Sequence, residues 1–290
     1  MSFENIQDLC CQAERQKVSV ADIVLQTEME SSQSPRAVLW EKMREHWQVM
    51  KQSIAAGLHT TEKSASGLVG GDAVRLAKHI AAGYSGETIG RAAAYAVGIS
   101  ETNAVMGKVV ACPTAGSCGI LPAAVLSGAE KNGNTEDEII HALFTAAGIG
   151  MVIEQNASIS GAEGGCQAEC GSAAGMAAAA LVDLKKGSGE DISAAVALAL
   201  KNMLGVVCDP VAGLVEVPCV KRNGFAAVHA MVAADMALAG VRSAIPVDEV
   251  ITAMREIGAL LPKSLKETSA AGLSVTPTAK KVEENLYGIR

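Results

Sequence analysis

Two stretches decide how the chain is read: residues 161–175, GAEGGCQAECGSAAG, and residues 208–219, CDPVAGLVEVPC. They place Cys166, Cys208 and Cys219 on loops between Ala-rich helices. Ala is the strongest helix former, while Gly and Pro beside each cysteine let the backbone bend close to a bulky ligand. Cys166 lies 42 positions before Cys208, and Cys208 lies 11 before Cys219. A compact zinc knuckle takes its ligands from close pairs, so this spacing does not suit one. It suits a cluster held by cysteines from separated loops. A four-iron cube on three cysteines leaves one iron without a protein thiolate, free to accept a substrate oxygen. The same spacing also suits three buried thiols that merely pack as small apolar groups.

Working outward, the segments on either side read as helices with recognisable ends. Ser19 with Asp22, and Thr135 with Glu138, form capping boxes. Ser34-Pro35 reads as a cap followed by proline at the first helical position, opening a stripe of Leu39, Met43, Trp47, Met50 and Ile54 that ends near Gly57. Ser172 is expected to cap the next Ala-rich helix, and Asn223 to cap one running to about Leu238. The loop SASGLVGGDAV, residues 64–74, leads into a helix that Asp72 could cap, a place where an anion such as a substrate carboxylate can bind. Residues 263–276 read as a loose loop before a final helix. Strand alternation is scarce, so the expected fold class is all-α: an N-terminal helical appendage over residues 1–60 and a compact multi-helix catalytic domain over 61–290.

The 290 residues are ample for a sizeable core, which must be built from aliphatic side chains because aromatics make up only 3%. A formal net charge of −7 argues against nucleic acid or an anionic membrane as partner. The longest apolar stretch, Ile139 to Ile153, falls short of the roughly 18 residues a span needs, and the polar start MSFENIQDLCCQAERQK does not read as a signal peptide. The expectation is a soluble cytoplasmic protein whose eight cysteines stay reduced unless they bind metal or do redox work.

Four stretches then carry a resemblance: NAVMGKVVACPTAGSCGILPA, AEGGCQAECGSAAGMAAAALV, CDPVAGLVEVPCVKRN and SAAGLSVTP. With the helices between them they span roughly residues 64–280, and the chain resembles the α subunit of bacterial iron–sulfur-dependent L-serine dehydratase. That resemblance implies an oxygen-sensitive [4Fe–4S] cluster in place of pyridoxal phosphate, ligated by Cys166, Cys208 and Cys219. Cys170 is not a ligand in the pattern and is expected to pack, serving only if the Cys166 loop rearranged. Cys10, Cys11, Cys112 and Cys118 are expected to be structural thiols. Some relatives occupy the open iron with a C-terminal cysteine, whereas this chain ends YGIR. In the family some active-site residues come from a β part, so a separate β subunit is the expected partner and L-serine the expected substrate, with threonine or cysteine as alternatives. The competing class is a non-catalytic helical module with a structural metal or none.

Dehydration of serine needs a base near the α-hydrogen and anchors for the carboxylate and amine. Thr114 and Ser117 in PTAGSCG, with nearby Asn103, are the candidate substrate contacts. Glu163 and Glu169, flanking Cys166, are the candidate acid–base groups. The histidines lie in or after the N-terminal helix (His46, His59) or mid-helix (His79, His141, His229), and none is a strong base candidate.

Overall fold

The computed structural model describes residues 3–288. Its thirteen α-helices are α1 (Ile6–Gln16), α2 (Val20–Ser32), α3 (Arg36–His59), α4 (Asp72–His79), α5 (Gly86–Ala104), α6 (Ile120–Asn132), α7 (Glu136–Asn156), α8 (Gly161–Gly164), α9 (Ser172–Leu184), α10 (Gly189–Lys201), α11 (Cys219–Leu238), α12 (Val247–Leu260) and α13 (Pro277–Tyr287). Among the described residues no strand forms, and the one isolated β-bridge pairs Cys208 with Lys266. The all-α expectation holds.

Helix α9 is the axis of the molecule. Its SAAGMAAAALVDL sequence is buried on all sides, with α6, α7, α10 and α11 packed around it. Alanine side chains let four helices approach closely without a steric cost, and each adds helix propensity. Phe3, Ile6, Leu9, Trp47 and Met50 of the N-terminal region belong to the same buried cluster as this central bundle. The division expected at residue 60 falls at the end of α3, and this cluster extends across it.

The capping boxes at Ser19 and Thr135 form as read. Other ends differ. Helix α3 begins at Arg36 with Pro35 itself in the cap position, because the Pro35 carbonyl accepts the first bonds from Val38 and Leu39. Ser172 caps nothing: a π-helical turn at Gln167–Gly171 runs straight into α9, leaving no free helix end there. Helix α11 starts at Cys219, not at Asn223. The N-terminus of α4 is already filled by an anion from within. Glu101 Oε1 accepts from the N–H groups of Gly70 (2.9 Å) and Asp72 (2.8 Å), and Oε2 from that of Ala73 (3.2 Å). The loop expected to hold a substrate carboxylate therefore has a buried one of its own, and Glu216 binds its Ser64 hydroxyl at 2.6 Å.

Residues 263–276 are not loose. Cys208 N donates to Leu265 O (2.9 Å) and Glu267 N to Cys208 O (2.8 Å). Farther along, Ser269 Oγ donates to Pro210 O (2.7 Å) and Leu273 N to Asp209 Oδ2 (2.8 Å). The segment is a strap laid along the Cys208 loop. Gly272 sits at φ +68°, and a Cβ there would stand 2.5 Å from Asp209 Oδ2, so the close approach and the left-handed backbone both call for glycine.

Candidate active site

Each of the three cysteines reaches one region from a different element. Cys166 precedes the π-helical turn, an insertion that re-aims side chains and recurs at functional sites. Buried Gln167 pins that turn by donating to Met254 O (2.9 Å) and accepting from Gly205 N (2.9 Å). Cys208 lies on the loop after α10, held by the strap. Cys219 opens α11 directly after Pro218. All three are buried, and they share an electrostatic environment. Burial first, and then negative charge at Cys166, push the thiols of Cys208 and Cys219 upward.

Cys166 goes the other way, to about 7. Its contact with Cys170, sulfur to sulfur at 3.3 Å, favours the thiolate most, and the Arg222 guanidinium adds to it against the opposing effect of burial. Arg222 also donates to Val207 O at 2.9 Å and lies 3.6 Å from Asp209 Oδ1.

Glu169 is the carboxylate beside the Cys208 sulfur. Its Oε1 accepts from Thr114 Oγ1 at 2.8 Å, and its Oε2 lies 3.9 Å from Cys208 Sγ. Burial holds its pKa above the usual carboxylate value despite the Thr114 bond, and the charge of Glu267 pushes the same way. A Cβ at Gly161 would stand 2.6 Å from Glu169 Oε2 and 3.2 Å from Cys208 Sγ, so the backbone closes on both groups there.

The other sequence candidates separate. Thr114 reaches Glu169 as described. Ser117 is fully buried behind it, 3.1 Å from Thr114 Oγ1, and supports the turn. Asn103 Nδ2 donates to Ala115 O at 3.4 Å, holding the same turn from α5. Glu163 points to the surface, where Ser158 donates to it at 2.6 Å, and does not join the thiols. Asn223 does more than cap. It accepts from Gly119 N (2.9 Å) and donates to Gly116 O (2.7 Å) and Cys219 O (2.9 Å), tying residues 116–119 to the cysteine at the head of α11. Sequence reasoning missed Arg222 and Asp209; the three-residue spacing of Cys219 and Arg222, one helical face, was the available signal.

Among the described residues no three His, Cys, Asp or Glu side chains are gathered tightly enough to grip a single metal ion. A cube differs, because each cysteine binds a different iron and the sulfurs stand farther apart than ligands of one ion. The donor set suits such a group: three buried thiols, a guanidinium to offset negative charge, and Asp209 Oδ1 buried without a hydrogen bond. A cavity of about 940 Å³ elsewhere, lined by Cys10, Ser19, His141 and Asp183, includes none of these groups.

Fold and site define an all-helical protein in which a carboxylate lies beside a buried thiol among helix ends. The chain belongs to the serine dehydratase alpha chain family, whose sequence model matches residues 15–274. It is similar to the probable L-serine dehydratase, alpha chain, of Bacillus subtilis (strain 168), 47% identical over 288 residues, covering 99% of this chain and 96% of that one. It is 40% identical over 270 residues to the L-serine dehydratase, alpha chain, of Peptoniphilus asaccharolyticus, covering 92% of each. L-serine dehydratase 1 of Escherichia coli (strain K12) matches at 44% over 185 residues, 62% of this chain but 40% of that longer one.

Proposed function

We propose that this chain is the α subunit of an L-serine dehydratase, a lyase that converts L-serine to pyruvate and ammonia. In this reading Cys166, Cys208 and Cys219 hold a [4Fe–4S] cluster, and a separate β chain completes the enzyme. The observation that carries it is Glu169, set 3.9 Å from the sulfur of buried Cys208, within a chain of this family. When bound, the cluster supplies a Lewis acid that offsets negative charge on the departing hydroxyl.

The chain's own groups do the rest. Thr114 fixes Glu169 Oε1, leaving Oε2 as the oxygen that takes the α-proton. Burial makes this carboxylate a stronger base than a solvated one. The backbone N–H groups of the Thr114 turn orient the substrate carboxylate, with Ser117 and Asn103 holding the turn in shape. Loss of water leaves an enamine, which tautomerises to an imine that water hydrolyses to pyruvate and ammonia. No electron is transferred, so no redox partner is needed.

The test is anaerobic iron–sulfur reconstitution of the full chain, followed by pyruvate release from serine with and without a β chain. The chain alone should take up iron and sulfide yet turn over little until β is added. Changing Cys166, Cys208 or Cys219 singly to Ser should stop iron uptake, whereas Cys170→Ala should retain it. A chain that takes up no iron would overturn the cluster, and full activity alone would remove the β partner.

A further inference from the structure

We infer that Arg222 is a positioning residue that locks the Cys208 loop against the helix that Cys219 opens; this rests on the cluster reading above. Arg222 stands three residues after Cys219 on the same helix. Its Nη1 donates to the carbonyl of Val207, immediately before Cys208, and its Nη2 pairs with Asp209, immediately after it. One side chain thus ties the Cys219 helix to the residues on both sides of Cys208. Through Asp209 Oδ2 and Leu273 N it is also joined to the strap.

The chemistry of the group explains why an arginine stands here. Its planar fork offers five donors at fixed angles, so it can span a carbonyl and a carboxylate at once; a lysine ammonium cannot. Burying a cation is costly unless it is paired. Only 20% of the Arg222 side chain remains exposed, and among the described residues its one carboxylate partner sits at a long 3.6 Å. That single pair is weak compensation. A thiolate-held cluster beside the head of this helix would supply further negative charge.

Arg222→Lys keeps the charge without the span, and Arg222→Met removes both. After anaerobic reconstitution, the chelator concentration that strips iron should fall about 10- to 100-fold for Arg222→Met, the usual effect of losing a group that orients metal ligands. Arg222→Lys should fall in between, and circular dichroism should show wild-type helix content for both. A second measurement needs no iron: alkylation of the metal-free chain, with labelled peptides mapped by mass spectrometry. Labelling of Cys208 should accelerate in both variants, with that of Cys112 unchanged. Iron retention and Cys208 labelling equal to wild type in Arg222→Lys and in any folded Arg222→Met would overturn the inference. If the wild-type chain takes up no iron, the cluster reading fails, and the labelling arm alone decides whether Arg222 holds these segments.

Discussion

Glu169 has two oxygens in different surroundings, one fixed by the Thr114 hydroxyl and one facing sulfur. Glu169→Gln keeps an acceptor for Thr114 but removes the group that accepts a proton. It should lower kcat about 10²- to 10⁴-fold, the range for losing a general base, while iron content stays at the wild-type level. Steady-state kinetics alongside iron analysis checks both halves. In the sequence Glu163 and Glu169 are equivalent, both within three residues of Cys166. The π-helical turn breaks that symmetry, turning Glu169 inward and leaving Glu163 at the surface with Ser158. An inserted residue in a helical turn leaves no periodic mark, so the sequence could not separate the two.

At the scale of elements, helix ends were legible where the partner is close in sequence. Ser19 with Asp22 and Thr135 with Glu138 cap across three residues, and both boxes form. They were illegible where the partner is distant. Glu101 caps α4 from 29 residues away, and Asn223 reaches Gly119 from 104. Asn223 shows what such a link is worth. Asn223→Ala would leave the Gly119 N–H and the Gly116 carbonyl of the 116–119 turn short of a partner, at about 1–3 kcal/mol for each group left unsatisfied. The denaturation midpoint should drop accordingly. The strap was misread for the same reason: its Gly, Ser and Thr content signals a loop, and only the fold reveals what the loop lies against.

Across the whole molecule, the all-α class followed from Ala-rich segments with caps, and the three cysteines were picked out by their glycine and proline neighbours. Their common surroundings come from packing four helices around α9. Two of the histidines set aside as bases, His141 and His229, act instead between elements. His141 on α7 meets Asp183 of α9 at 2.9 Å and Ser19, the cap of α2, at 2.8 Å. The hydrogen bond to Asp183 raises its pKa above the ordinary imidazole value of about 6.5. Folding therefore favours the protonated ring. That stabilisation is fully present below the ordinary value and is lost as pH rises through the folded one. Denaturant midpoints measured across this window should decline with pH, and His141→Gln should flatten the trend. Among the described residues no helix is long and apolar enough to cross a membrane.

The strap has a consequence for the order of events in a cell. Asp209 is held by Leu273, 64 positions downstream, and Cys208 pairs its main chain with Leu265 and Glu267. A ribosome adds residues one at a time, so most of the protein emerges before those bonds have anything to join. The Cys208 loop thus reaches its final form only after translation has nearly ended, and until then its thiol lacks the cover that the strap gives it.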